Sequence, residues 1–267
     1  MNRATLLITG SIDLKQVQTP STVIRDTGKR LKQYLDAIEY AIDHYTEVET
    51  IIFCENTNFD FNYTPLREKA EKKGKNLEIL TFAGNYEMIY QRGKGYGEGE
   101  IIDYALNNSY FLSKTQSFYK LTGRLIIKNM DQLIRTTHSA NAFWFKPIEI
   151  TTLSKRHIET FFYKTETELY QSTLRDAYLS VDEVDNIYLE HLFFDRLNGL
   201  KVRNFNSLPQ LSGESGTSGK KYDLNGFHKF KIQFYTFTGA YHLYKTFPEK
   251  IAFAAIAMSL KIFRTIK

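Results

Sequence analysis

The chain has 267 residues, 42% hydrophobic and 24% charged, proportions that exclude disorder, collagen and coiled coil as its main theme. One cysteine, Cys54, excludes a disulfide framework and a cysteine-rich zinc site, and fits a reducing compartment. The net charge of +5 is too small to argue for nucleic acid, yet it suits phosphorylated ligands or an anionic membrane surface.

Ala4 to Thr9 (ATLLIT) reads as a buried strand ending at Gly10-Ser11. Arg25 to Tyr45 reads as a helix, with Leu31, Tyr34, Leu35, Ile38, Ala41, Ile42 and Tyr45 on one face. Thr50 to Cys54 is a second apolar strand, trailed by the polar loop Glu55-Asn56-Thr57-Asn58. Thr64-Pro65 opens a charged helix that Gly74 stops. Leu77 to Phe82 is a third strand. A glycine cluster and a helix to about Asn107 follow, and Phe118 to Ile127 reads as a strand pair or bent strand. Strand and helix thus alternate over the first 130 residues, which predicts an α/β fold with a mostly parallel sheet and helices on both faces. The second half is less regular. Short strands are expected at Ala142 to Phe145 and Glu159 to Tyr163, a helix at Glu183 to Leu197, and a Gly/Ser-rich loop at Ser207 to Asp223. A helix is expected at Phe247 to Lys267. No repeat or long linker divides the chain, so residues 1–246 are expected to form one domain followed by an apolar, basic helix over 247–267.

Four segments carry chemistry. In Gly93-Lys94-Gly95-Tyr96-Gly97-Glu98-Gly99-Glu100, alternate glycines permit close approach of a ligand, and Lys94 with free helix amides would suit a pyrophosphate. Glu100 stands where a Rossmann fingerprint needs its last glycine, and a mobile glycine loop is the competing reading. In Phe118-Tyr119-Lys120-Leu121-Thr122-Gly123-Arg124, a strand puts Lys120, Thr122 and Arg124 on one face, a clamp for phosphate or carboxylate. A solvated edge strand competes, and the apolar Leu125-Ile126-Ile127 speaks against it. In Tyr188 to Leu197, Glu190 heads an amphipathic helix as a candidate general base, against the plainer reading of a surface glutamate. Ser212 to Lys221 is either a lid that brings Lys220 over phosphates or a plain connector. The six histidines have no close ligand spacing, and there is no HExxH and no GxSxG.

As a set, the GKGYGEGEII, FYKLTGRLIIKN and YLE segments resemble bacterial glycosyltransferases that build cell-surface polysaccharides such as O-antigen and capsule. The resemblance covers roughly residues 4 to 200. It implies a GT-A-like nucleotide-sugar fold and a nucleoside-diphosphate-sugar donor. It also implies a glycan or lipid-linked acceptor and transfer by direct displacement, with inversion. By the same resemblance Glu190 is the base, and Lys120 and Arg124 receive the diphosphate leaving group. Gly93, Lys94, Gly95, Thr122, Gly123, Asn56, Glu55, Asp13 and Lys220 are donor-binding candidates. Glu55, Asn56 and Asp13 owe their place to position alone, because they follow apolar strands at a sheet edge. The family's DxD metal motif is missing, and Asp182-Glu183-Val184-Asp185 has the wrong spacing, so no metal ligand is assigned and a divalent cofactor is doubtful. The two cations of the strand are then expected to meet the developing charge.

A nucleotidyltransferase that makes activated sugars and a non-catalytic component of the assembly machinery are the alternatives. No signal peptide is expected, because Met1-Asn2-Arg3 leads straight into a strand-like segment. The apolar run Ile251 to Leu260 is about half a membrane span. Beside Lys250, Lys261 and Arg264 it reads either as a core helix or as an interfacial one on the anionic inner face of the membrane. A cytoplasmic enzyme, peripheral on the membrane in the second case, is the resulting expectation, with no nucleic acid partner.

Overall fold

A computed structural model describes residues 3–15, 23–146, 157–214, 219 and 221–222. Lys220 and residues 247–267, and with them the expected lid lysine and C-terminal helix, lie outside the described residues. In chain order the elements begin with β1 (Ala4–Gly10), α1 (Thr27–His44), β2 (Val48–Glu55), α2 (Thr64–Lys72) and β3 (Asn76–Thr81). α3 (Tyr86–Arg92), α4 (Lys94–Asn108), β4 (Ser117–Thr122), β5 (Leu125–Ile127) and α5 (Met130–Thr136) follow. β6 (Ala142–Lys146), β7 (His157–Glu166), the short α6 (Thr167–Leu169), α7 (Leu189–Leu197) and β8 (Leu211–Gly213) complete the described chain.

Six strands form one sheet in the order β3-β2-β1-β4-β7-β6. β1 pairs in parallel with β2 and β4, and β2 with β3, whereas β7 runs antiparallel to β4 and to β6. The fold is therefore α/β with a mostly parallel central sheet flanked by helices. β5 leaves the main sheet and pairs with β8 instead, so the segment expected as a strand pair or bent strand breaks at Gly123-Arg124.

Strand alternation divides the core in two. Leu6 and Ile8 of β1, Phe53 of β2 and Tyr119 and Leu121 of β4 face one side, where α1, α2 and α5 cover them. Leu7, Ile52 and Phe118 face the other, against α4 and α7. α1 forms where Asp26 caps it, accepting from the Lys29 amide at 2.6 Å. It buries Tyr34, Ala37, Ile38, Ala41 and Ile42 at helical spacing. Among the described residues no helix is long and apolar enough to cross a membrane.

Two boundaries differ from the sequence reading. The glycine cluster is not a loop before α4 but its first turns. Gly93 caps the helix at φ 104°, a left-handed value that favours glycine, and Gly99 leaves room for the Tyr178 side chain packed upon it. α7 begins at Leu189 rather than near Glu183. Glu183 to Asp185 instead belong to a tight turn, closed by paired backbone bonds between Asp182 and Ile187 at 2.7 and 2.9 Å. In that turn Asp182 spends its carboxylate on the Val184 and Asp185 amides.

Candidate active site

The strand order reverses direction between β1 and β4. From β1 the chain moves outward to β2 and β3, then returns across to β4. Connections leaving neighbouring strands in opposite directions open a crevice at their C-terminal ends, the usual ligand site of an open parallel sheet. A cavity of about 310 Å³ occupies that crevice. Its walls include Thr9 and Gly10 at the end of β1 and Ser11 after it, Asn56 after β2, and Thr122 and Arg124 at and just past the end of β4. Lys94, Gly97 and Glu98 of α4, Thr160 of β7 and Glu190 of α7 complete the face toward the α4 and α7 layer.

One end of the cavity is cationic. Arg30 of α1 is only 5% exposed. Its guanidinium donates to the Ile24 carbonyl at 3.1 Å, to the Tyr34 hydroxyl at 3.1 Å and twice to the Ser11 carbonyl. Burial pulls its pKa down, and the Arg124 charge adds to that pull. Arg124 donates to Gln33 Oε1 at 3.1 Å, and Gln33 Nε2 in turn donates to Glu214. Glu214 is itself paired with Lys29 at 2.8 Å. Among the described residues neither guanidinium forms an ion pair with a carboxylate. Two like charges held together without a carboxylate in direct contact, on the wall of a cavity that Glu214 also lines, make a site for an anion.

The other end is built around Lys120. Its side chain is fully buried, on the α4 and α7 face of β4. A buried ammonium needs its three hydrogens satisfied. Here they go to Glu98 Oε1, to Thr122 Oγ1 at 3.0 Å and to the Thr160 carbonyl at 2.8 Å. Desolvation pulls the Lys120 pKa down to about 7, and Glu190 works in the opposite direction. Thr160 Oγ1 donates to Glu190 Oε1 at 3.1 Å. Strand β4, strand β7, helix α4 and helix α7 therefore meet in one polar cluster that ends in two glutamates on the cavity wall.

Of the residues singled out in the sequence, Glu190, Arg124, Thr122, Lys94 and Asn56 line this cavity. Lys120 lies directly behind it, with its donors spent, so it holds Glu98 rather than reaching into the open space. That narrows the expected phosphate clamp to Arg124 and to Arg30, a residue the sequence reading did not select. The remaining candidates shape the surroundings. The Gly95 amide donates to Glu183 Oε1 at 2.9 Å, so the protein's own carboxylate occupies the start of α4. Gly93 is the cap beside it. The Gly123 amide donates to the Thr9 carbonyl at 2.8 Å, and the close approach of that carbonyl leaves no room for a side chain. Glu55 is fully buried and accepts from the Thr57 amide and hydroxyl and the Phe59 amide, between 2.5 and 2.8 Å. It organises the loop after β2. Burial pushes its carboxyl up and those bonds pull it back. Asp13 ties the segment after β1 to the start of α1, accepting from the Lys15 amide and the Thr27 hydroxyl at 3.1 Å. Asn56 accepts from Ser11 Oγ at 2.5 Å, which joins the ends of β1 and β2 at the cavity floor.

Arg30 and Glu98 were both within reach of the sequence. Arg30 precedes Tyr34 by four residues and so falls on the buried face of α1, where a cation is rare. Glu98 sits between Gly97 and Gly99, in the segment already marked by its glycines. Neither signal says which partner waits across the fold. Among the described residues no three His, Cys, Asp or Glu side chains converge as metal ligands. Of the carboxylates that line the cavity, Glu98 is bound to Lys120, Glu190 to Thr160 and Glu214 to Lys29.

No protein-family model and no curated protein matches the chain. Solved structures with a similar course of chain include the glycosyltransferase GlyE of Streptococcus pneumoniae TIGR4, at TM-score 0.49 and 10% identity. That superposition covers 77% of this chain and 45% of GlyE. The bifunctional glycosyltransferase WbbM is similar at TM-score 0.46 and 9% identity, over 77% of this chain and 39% of its own. A nucleoside-diphosphate-sugar pyrophosphorylase of Vibrio cholerae RC9 is similar at TM-score 0.43 and 13% identity, over 74% and 91%. The chain thus spans less than half the length of the two glycosyltransferases. Likeness at this level concerns the course of the backbone and carries nothing about substrate.

Proposed function

We propose that the protein is a glycosyltransferase that moves a sugar from a nucleoside diphosphate to a hydroxyl of a glycan or lipid-linked acceptor, as in the synthesis of surface polysaccharides. The observation that carries the reading is the divided cavity at the strand-order reversal. Guanidiniums without carboxylate partners stand at one end, and Glu190 beside a buried Lys120–Glu98 pair at the other. A nucleoside-diphosphate sugar has the same division, an anionic diphosphate joined to a polyhydroxyl ring.

In the proposed reaction the acceptor hydroxyl gives its proton to the Glu190 carboxylate as its oxygen bonds to the anomeric carbon. The bond from that carbon to the β-phosphate oxygen breaks, and its electron pair leaves with the phosphate. Attack and departure on opposite faces invert the anomeric centre. Arg124 contacts the leaving diphosphate, while Arg30, with most of its donors already engaged, acts through its charge. Fixed charges facing the developing negative charge lower the barrier without reorganising in the step. Lys94 and Thr122 extend the donor-binding wall, and Asn56 and Ser11 form its floor.

The test is a panel of nucleotide sugars with product detection by mass spectrometry. Transfer to an acceptor with release of a nucleoside diphosphate supports the reading. Formation of a nucleotide sugar from a nucleoside triphosphate and a sugar phosphate, with pyrophosphate released, would replace it with nucleotidyl transfer. Donor binding without turnover of any kind would leave a binding component. Activity should survive EDTA, since the cationic end is supplied by side chains; loss on chelation and return with manganese would move that role to a metal.

A further inference from the structure

The carboxylate end of the cavity holds more than the proposed base. Glu98 and Glu190 reach the wall from two different helices, and one buried ammonium stands behind them. Each glutamate has one anchored oxygen. Lys120 holds Glu98 Oε1, and Thr160 holds Glu190 Oε1. The second oxygen of each makes no hydrogen bond among the described residues, and Glu98 is 23% exposed at its side chain, so both remain available to a ligand. An ionised carboxylate only accepts hydrogen bonds. The groups that match two such oxygens are hydroxyls; a ligand carboxylate there would bring like charges together away from bulk water.

On the glycosyltransferase reading, on which this step rests, we infer that Glu98 contacts the donor sugar and sets its class: a neutral sugar bound through its hydroxyls, not a uronic or other acidic sugar. Lys120 is a positioning residue in this arrangement. Anchored from β4 and β7, it fixes Glu98 on α4 so that one oxygen points into the cavity. A flexible surface glutamate would turn away from an acidic sugar, whereas one pinned by a buried cation cannot without leaving that cation unpaired. The opposing consideration is Lys94, one turn earlier on the same face of α4 and also on the wall. It would welcome an acidic sugar, so the two side chains give opposite expectations.

Calorimetric titration of the wild-type protein decides between them. The probes are UDP, UDP-glucose and UDP-glucuronate, and GDP, GDP-mannose and GDP-mannuronate. Whichever nucleotide binds, its neutral sugar should bind about 100-fold more tightly than its acidic one, the scale of a like-charge clash. Glu98→Gln should narrow that ratio to about 10-fold or less by readmitting the acidic sugar, with the affinity for the bare nucleotide unchanged. Should that variant fail to fold, the wild-type ratio alone still decides. Equal binding of the acidic and neutral sugars would overturn the inference and assign the sugar end to Lys94, leaving the glycosyltransferase reading intact. If none of the six probes binds, the functional reading itself falls, and this inference with it.

Discussion

The two faces of the central sheet are built from the same strands and do different work. Toward α1, α2 and α5, strand β4 presents Tyr119 and Leu121, and the layer is apolar except where Arg30 and the Tyr34 hydroxyl meet the cavity. Toward α4 and α7 the same strand begins with Phe118 and then turns to Lys120 and Thr122. A shift of one residue in the pairing of β4 would exchange the faces and bury Lys120 against α1. The apolar face therefore sets the register that delivers the polar one. Stability and chemistry should accordingly separate by face when residues are substituted.

The largest separation is expected between Glu190 and Ile38. Glu190→Gln should lower transfer about 1,000-fold, within the range for removing a general base, while the donor dissociation constant and melting temperature stay close to wild type. Ile38→Ala, on the buried side of α1, should cost about 2–5 kcal/mol of stability and leave turnover per folded molecule unchanged. Single-turnover kinetics and denaturant unfolding measure the two. A Glu190→Gln enzyme that transfers at the normal rate would remove the base from the mechanism and merge the two faces into one structural class.

Next comes Arg124→Ala, expected to lower kcat about 100-fold, the scale for one preorganised charge donor. Arg124 leans on α1 through Gln33 but is not part of its apolar stripe, so thermal unfolding should change little. Wild-type turnover in the folded variant would leave the cationic end without a catalytic part.

The fold and the partners within the site were not equally legible in the sequence. Local pattern marks the strands, the alternation on β4, the stripe of α1 and a carboxylate at the front of α7. It therefore yields the fold class and names Glu190, Arg124 and Thr122. It does not show that Lys120 is saturated, because Glu98, Thr122 and Thr160 come from three elements and two of them are remote in the chain. Glu55 misleads for the same reason. At a strand end it looks ready for a ligand, and only the folded loop reveals that Thr57 and Phe59 consume its carboxylate. The glycines of α4 meet a demand that composition does not show: Gly99 makes room for the Tyr178 side chain packed against the helix, while Gly97 lines the cavity.

Lys120 sharpens the comparison through pH. Its pKa is lowered from 10.5 to about 7 by burial, with Glu190 opposing. Above that pH the shared cation behind Glu98 and Glu190 is lost, so kcat/KM should fall on an alkaline limb beginning near 7. Lys120→Arg, whose charge persists, should carry the limb to higher pH. Stability moves the other way. The unfolded chain binds more protons than the folded one between about 7 and 10.5, so the burial penalty is relieved as pH rises through that window. Wild type should gain stability relative to Lys120→Met over the same range. Activity flat to pH 9 would mean that the proton on Lys120 stays in place throughout.

The smallest effect is expected where the two faces meet, at Tyr34. Its ring packs in the apolar layer against Phe53, with centroids 5.6 Å apart. Its hydroxyl accepts from the Ser11 amide at 2.9 Å and from Arg30 at 3.1 Å, at the rim of the cavity. Tyr34→Phe keeps the ring and removes only the hydroxyl. Arg30 retains its bonds to the Ser11 and Ile24 carbonyls, so its charge stays where it is. The segment after β1, which also supplies the hydroxyl of Ser11 to Asn56, loses one of its anchors. The hydroxyl also donates to the Ser11 carbonyl at 3.2 Å, and each net hydrogen bond is worth about 1 kcal/mol, so donor KM should rise roughly 5- to 30-fold with kcat nearly unchanged. If kcat fell instead, with KM constant, the hydroxyl would be acting on the transition state, and the boundary between the packing face and the chemical face would run through Tyr34 itself.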